Sequence, residues 1–179
     1  GMSEDWTQSG LYKRNPGGWN TGLEFGRITQ LVVDNIADQP TPKGYLKAFD
    51  PLTGEDKWVV EIPHYWNGGV LSSAGGLVFQ GDALGMFTAY DKDTGEALWQ
   101  FNTYTSMLAP PITFEIDGEQ FVSVLTGTGG GDLFGGEPLP PVAEHASLTY
   151  NNYGRLLVFK IGGTEQLPVP TVRDRSIPV

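Results

Sequence analysis

Short apolar segments recur along the chain, and each is closed by residues that favour turns. Runs of this length that alternate or stay apolar are typical of half-buried or buried β-strands, and no segment has a convincing helical period. The pattern predicts strands at 28–33, 46–50, 57–61, 70–72, 77–80, 86–91, 97–101, 111–114, 121–125 and 155–160. We therefore expect an all-β fold.

An internal repeat organises these segments. Residues 44–58 recur as residues 85–99 without gaps, and both copies follow the pattern G-x-x-x-A-aromatic-D-x-x-T-G-E-x-x-W. A third, decayed copy at 154–163 keeps the glycine and the aromatic residue but loses the aspartate and the tryptophan. The alternative, two unrelated hairpins with similar turns, is far weaker because so many identities fall at one offset.

Each full copy contains an aspartate, a glycine and a tryptophan at fixed spacing: Asp50, Gly54 and Trp58 in the first, Asp91, Gly95 and Trp99 in the second. The aspartate accepts hydrogen bonds from backbone N–H groups two residues on and so starts a turn. The glycine supplies the positive φ that a tight hairpin needs. The tryptophan has a large area to bury, and its constant phase predicts packing between neighbouring repeats.

A period of about 40 residues with several short strands is typical of a four-stranded propeller blade. We therefore predict a partial β-propeller of four-stranded antiparallel blades that spans residues 28–163. The expected domain organisation is an N-terminal segment and loop at 1–27, a partial blade at about 28–62, a blade at about 68–104, a blade at about 109–161 with an inserted loop at 127–152, and a Pro-rich tail at 164–179.

Composition narrows the possible functions. The chain has 179 residues, 11 Lys+Arg against 21 Asp+Glu, and no basic run, which argues against binding to nucleic acid. The apolar runs are too short for a membrane-spanning helix. The absence of cysteine excludes disulfides, thiolate metal sites and cysteine nucleophiles, and we identify no metal site.

Strand order predicts which loops lie together. The loop at 66–69 precedes the first strand of one blade, and the Gly-rich loop at 127–131 follows the second strand of the next. Both should therefore lie on one face, opposite the Asp-x-x-Thr-Gly turns. Glycines there would allow backbone N–H groups to approach a flat, anionic ligand, and Asn67 would add an amide. The alternative is that these glycines are ordinary loop residues and that the tryptophan beside them has only a packing role.

The motifs resemble those of a known family. Ala48-x-Asp50-x-x-x-Gly54-x-x-x-Trp58 and its second copy, which starts at Ala89, resemble the tryptophan-docking motif of pyrroloquinoline-quinone (PQQ) dehydrogenases. Residues 66–81, the Gly-rich run after Leu125 and residues 155–160 resemble the C-terminal part of the quinoprotein and quinohaemoprotein alcohol dehydrogenases. The resemblance covers the chain from about residue 17 to about residue 170.

The resemblance implies a closed eight-bladed propeller with PQQ and a calcium ion on its axis. It implies oxidation of alcohols to aldehydes in the periplasm, although residues 1–5 are polar and acidic and form no signal peptide. The residues that it implies as PQQ contacts are Trp66, Asn67, Thr128, Gly129 and Gly130. The family often has a tryptophan in this glycine run, where this chain has Thr128.

The same resemblance implies that the general-base aspartate, the calcium ligands and the tryptophan under the quinone lie upstream of this stretch. We therefore expect a C-terminal fragment that lines one side of the PQQ pocket and is inactive alone. Its open blade edges and faces predict self-association. Two alternatives stay open: partner chains that complete the ring, and a non-catalytic propeller scaffold that binds proteins. A scaffold has no need of Asn67 beside a glycine run.

Overall fold

The computed structural model describes residues 44–62, 67–127, 146–151 and 154–174, all within one compact unit, Thr41–Val179. In these ranges the chain forms three antiparallel sheets. The first sheet contains β1 (Gly44–Phe49) and β2 (Asp56–Ile62). The second contains β3 (Asn67–Ser72), β4 (Leu77–Asp82), β5 (Met86–Asp91) and β6 (Ala97–Asn102) in that order. The third contains β7 (Ile112–Ile116), β8 (Glu119–Thr126) and β9 (Arg155–Lys160).

The observed sheets confirm the predicted fold class, an all-β partial propeller whose complete blade has four antiparallel strands. Each predicted strand from 46–50 onward coincides with an observed strand to within a few residues. The strand predicted at 28–33 lies outside the described residues. The expectation of no helix was wrong for one turn, Ala146–Thr149, which is too short to show a helical period in sequence.

The two repeat turns have the predicted chemistry. Gly54 and Gly95 have φ values of 74° and 75°, and each donates its N–H to the carbonyl of the aspartate four residues earlier. The side chain of Asp50 accepts from the N–H of Leu52 at 2.8 Å, and that of Asp91 accepts from the N–H of Asp93 at 2.9 Å. The aspartate and the glycine therefore close each hairpin together.

Two apolar clusters join the three sheets into a stack. The first cluster lies between the first and second sheets and contains Leu46, Ile62, Val78 and Tyr90, with Trp58 and Val60 packed against it. The second lies between the second and third sheets and contains Phe79, Phe87, Ala89, Met107 and Val124, with Phe159 among the residues packed against it. The four-stranded sheet is therefore the middle layer, and an apolar cluster packs on each of its faces.

Different elements lie at the two ends of the stack. At the turn end lie the two Asp-x-x-Thr-Gly hairpins, and the N–H of Lys92 donates there to the carbonyl of Gly76 at 3.0 Å. At the opposite end, which we call the loop end, β3 begins at Asn67 and β4 ends at Asp82. No helix among the described residues is long and apolar enough to cross a membrane.

Candidate functional site at the loop end

A β-bulge marks the start of the innermost strand of the middle sheet. Asn67 pairs with Asp82, and the next paired residues are Val70 and Gln80. Two residues of β3, at positions 68 and 69, thus face a single residue of β4 at position 81. Bulges bend a strand and redirect the side chains beside them, and Asn67 directly precedes this one.

Three glycines at the bulge are required by close packing. A Cβ on Gly68 would lie 3.0 Å from the carbonyl oxygen of Gly81, and one on Gly69 would lie 2.6 Å from Cβ of Pro110. A Cβ on Gly81 would lie 2.6 Å from Cβ of Met107. Protein atoms therefore fill the space above Gly68 and Gly69.

The segment that packs there joins β6 to β7 and is held by buried hydroxyl groups. Thr103 donates its hydroxyl to the carbonyl of Gly85 at 3.0 Å, and Ser106 donates its hydroxyl to the carbonyl of Ala83 at 2.8 Å. The N–H of Met107 donates to the carbonyl of Asp82 at 3.0 Å. These bonds fix the segment, which we call the connecting segment (residues 103–111), on the hairpin between β4 and β5.

The connecting segment contacts the described residues at the roots of the two predicted loops. The N–H of Gly127, at the end of β8, donates to the carbonyl of Ser106 at 2.9 Å. Gly68, next to Asn67, approaches the same segment, since a Cβ there would lie 3.2 Å from the carbonyl oxygen of Met107. The roots of both loops therefore contact the connecting segment at the loop end, away from the Asp-x-x-Thr-Gly turns.

Of the five predicted contact residues, only Asn67 lies within the described residues, where it is partly buried. Trp66, Thr128, Gly129 and Gly130 lie outside them. Among the residues that the structure describes, no group of three or more histidines, cysteines, aspartates or glutamates could hold a metal ion.

Asp82, which pairs with Asn67 across the sheet, accepts a hydrogen bond within the β4–β5 hairpin. Burial raises the pKa of Asp82, and the backbone N–H groups of Met86, Leu84 and Gly85 oppose that rise by bonding to the ionised form. The bond from Met86 to the Asp82 carboxylate measures 2.8 Å. This carboxylate therefore caps the β4–β5 hairpin, on which the connecting segment rests.

One residue of this end was missed in the sequence. Gln80 is 8% exposed and donates its amide Nε2–H to the carbonyl of Gly68 at 3.0 Å. The available signal was a glutamine inside the apolar run of a strand whose four central residues are all buried. A polar side chain at such a position normally has a specific bonding partner.

This chain is similar in sequence to a described protein family and to several known proteins. A family described as "Glucose/ethanol/alcohol dehydrogenase, beta-propeller domain" matches residues 60–122. Quinohemoprotein alcohol dehydrogenase ADH IIB from Pseudomonas putida is 47% identical over 155 residues, which cover 85% of this chain and 20% of that protein. Lupanine 17-hydroxylase [cytochrome c] from a Pseudomonas species is 42% identical over 132 residues, or 74% of this chain and 18% of the relative.

A solved structure agrees with these matches. The quinohemoprotein alcohol dehydrogenase of Comamonas testosteroni superposes with a TM-score of 0.60 at 36% identity, over 73% of this chain and 18% of that chain. The chain thus spans about a fifth of the length of the relatives that it matches. Sequence and fold together show that the chain is similar to part of the β-propeller of PQQ-dependent alcohol dehydrogenases.

Proposed function

We propose that this chain contributes one side of the PQQ pocket in a PQQ-dependent enzyme that oxidises alcohols to aldehydes. The contact residues would be Trp66, Asn67, Thr128, Gly129 and Gly130. The observation that supports the proposal is that one segment, residues 103–111, contacts both Gly68 at the start of β3 and Gly127 at the end of β8. A pocket wall needs two loops from neighbouring blades at one end of the stack.

The residue types at this end fit a flat, anionic quinone. Asn67 places an amide at the end of an innermost strand, where its N–H groups can donate to a carboxylate or carbonyl. Gly127 has a φ of 157°, and among the described residues a Cβ there would meet only Gly154, at 3.6 Å, whereas one on Gly68 would lie 3.0 Å from the carbonyl oxygen of Gly81. Trp66 would supply an apolar wall beside the amide.

When bound, PQQ supplies the two-electron acceptor for the alcohol. The contribution of this chain is to bind and orient that group. The general base and the calcium ligands would come from parts of the propeller that the sequence does not match. The reaction needs both a base and a cation at the quinone, so we expect no alcohol oxidation from these residues alone. The resemblance also favours a periplasmic location.

We also propose that the chain associates through its outer sheet face. On the side of the third sheet turned away from the stack, Ile112, Leu125, Leu156 and Val158 are at least half exposed. An apolar face of this kind is a favourable contact surface for another chain or blade.

The pocket proposal is tested by titrating PQQ, with calcium present, into the 179-residue chain and following tryptophan fluorescence. We expect saturable binding that is about tenfold weaker in Asn67→Ala, because a hydrogen bond to a charged ligand is lost. Gln120→Ala is the matched control, since Gln120 is exposed on the β7–β8 hairpin at the turn end. Sedimentation velocity on the same samples measures self-association. A folded monomer without affinity for PQQ would contradict both proposals.

A further inference from the structure

A glutamine amide supports the backbone of the bulge beside the proposed pocket. Gln80 occupies the middle of β4, where its neighbours Phe79 and Gly81 are also buried. Its amide Nε2–H donates to the carbonyl of Gly68 at 3.0 Å, a bond that is itself buried. Gly68 belongs to the extra pair of residues on the bulged strand.

The bond from Gln80 provides a hydrogen-bond donor for the backbone carbonyl of Gly68 at the bulge. A bulge interrupts the regular ladder and leaves part of the backbone without its usual partner across the sheet. An unsatisfied carbonyl in a buried position is costly, and a side-chain donor from the facing strand relieves that cost. Gln80 pairs with Val70, the first regular partner after the bulge, so its side chain starts next to the interrupted stretch.

The other end of the same amide shows that packing alone does not explain the glutamine. Among the described residues, the buried Oε1 of Gln80 has no hydrogen-bond partner. An apolar side chain of similar length, such as methionine, would fill this space and bury no unsatisfied oxygen. The donor function toward Gly68 is therefore what distinguishes a glutamine from an apolar residue here.

We propose that Gln80 is a positioning residue for the cofactor pocket. By holding the Gly68 carbonyl it fixes the bulge, and the bulge fixes the direction in which β3 presents Asn67. The part of this inference that concerns the cofactor rests on the proposed function. The part that concerns the backbone depends only on the contact between Gln80 and Gly68.

The first test uses nuclear magnetic resonance on the unaltered 179-residue chain. We expect the side-chain NH₂ protons of Gln80 to exchange with water at least tenfold more slowly than those of Gln120, because the Gln80 bond is buried and the Gln120 bond is exposed. Equal exchange rates for the two side chains would overturn the proposal, and this comparison requires no variant to fold.

The second test compares Gln80→Met with Gln120→Met as its control. We expect Gln80→Met to shift the side-chain amide signals of Asn67 and the backbone signals of Gly68 and Gly69, while the signals of the third sheet stay in place. Gln120→Met should leave the Asn67 signals unchanged. Unmoved Asn67 and Gly68 signals in a folded Gln80→Met chain would contradict the positioning role.

A PQQ titration of the same variants separates the two proposals. If the unaltered chain binds PQQ, Gln80→Met should bind about tenfold more weakly and Gln120→Met equally well. Unchanged affinity in Gln80→Met would refute the link to the pocket. If the unaltered chain does not bind PQQ, the proposed function fails, and the resonance measurements still decide whether Gln80 positions the bulge.

Discussion

The repeat places a tryptophan at the same position in two neighbouring sheets, but the two tryptophans make different contacts. Trp58 leaves the first sheet and donates its indole N–H to the carbonyl of Lys92, in the turn of the second sheet, at 2.9 Å. Trp99 leaves the second sheet and packs on Phe159 of the third, with ring centroids 5.4 Å apart. Among the described residues the Trp99 indole has no hydrogen bond, and the side chain remains 40% exposed.

The difference lies in the receiving sheet. The ring of Trp58 rests on Gly95, where a Cβ would come within 2.8 Å of it, next to the Lys92 carbonyl of the same turn. The decayed third copy has Ile161 and Thr164 where the second copy has Lys92 and Gly95. A docking tryptophan therefore needs both its own position and an intact turn in the next repeat. Without that turn, apolar packing joins the sheets.

The strongest disruption should come from Phe87, the centre of the apolar interface. This ring is fully buried and lies 5.4 Å from Phe159 and 6.0 Å from Trp99, centroid to centroid. We expect Phe87→Ala to lower the free energy of unfolding by about 3–5 kcal/mol, measured by urea denaturation. The control is Leu98→Ala, at a side chain that is 53% exposed, with an expected change below about 1 kcal/mol. Similar losses in the two variants would show that the apolar cluster between the second and third sheets contributes little to the free energy of unfolding.

A matched pair of glycine variants isolates the contact between Trp58 of the first sheet and the turn of the second sheet. Gly54 and Gly95 have nearly the same positive φ, but among the described residues a Cβ on Gly54 would meet nothing within 4 Å. We expect Gly54→Ala to cost about 1 kcal/mol for backbone strain alone, and Gly95→Ala about 3 kcal/mol because its methyl group displaces Trp58. Urea denaturation measures both. Equal costs would mean that the indole does not depend on this turn.

Substitution by phenylalanine removes the indole N–H while keeping an aromatic ring. Trp58→Phe should lower the free energy of unfolding by about 1 kcal/mol more than Trp99→Phe, because only Trp58 donates a hydrogen bond. The same denaturation assay measures the difference. A larger loss at Trp99 would show that exposure and bonding are poor guides to the contribution of these side chains.

The smallest effect concerns the charge of the intact turn. Backbone N–H groups of Asp93 and Thr94 and the Thr94 hydroxyl hold the pKa of Asp91 below its usual value of 3.8. Because the folded pKa is depressed, the associated stabilisation is present above the unfolded pKa and is lost as pH falls through the folded pKa. Thr94→Val should raise the Asp91 pKa, measured by carboxyl carbon resonance, while Thr53→Val in the first turn should not affect it. An unchanged Asp91 pKa in Thr94→Val would rule out the hydroxyl contribution.

Much of the fold was accessible from sequence because the repeat combines local signals that agree. Aspartate, threonine and glycine at fixed spacing specify the hairpin, and the apolar runs on either side specify its strands. These signals act within about 15 residues, so the neighbouring chain is enough to satisfy them. The same comparison identified the third copy by its glycine and its aromatic residue, and showed that it lacks the aspartate and the tryptophan.

The site was only partly accessible in the same way. Strand order predicted that the roots of the two loops lie at one end, and the positions of Asn67 and Gly127 agree with this. The bulge and the bond from Gln80 to Gly68 were not predicted. A bulge depends on the register between two strands, and a single glutamine in an apolar run gives no indication of which carbonyl it serves.

The sequence by itself determined the strands, the hairpin turns and the four-stranded unit, because these depend on contacts between residues close together in the chain. Tertiary structure alone decided which tryptophan finds a hydrogen-bond acceptor and what fills the space above Gly68 and Gly69. Both outcomes depend on atoms supplied by another segment: the Lys92 carbonyl for Trp58, and the connecting segment for the bulge. Side-chain identity sets what a residue can bond or pack against, and only the stacking of sheets sets what it meets.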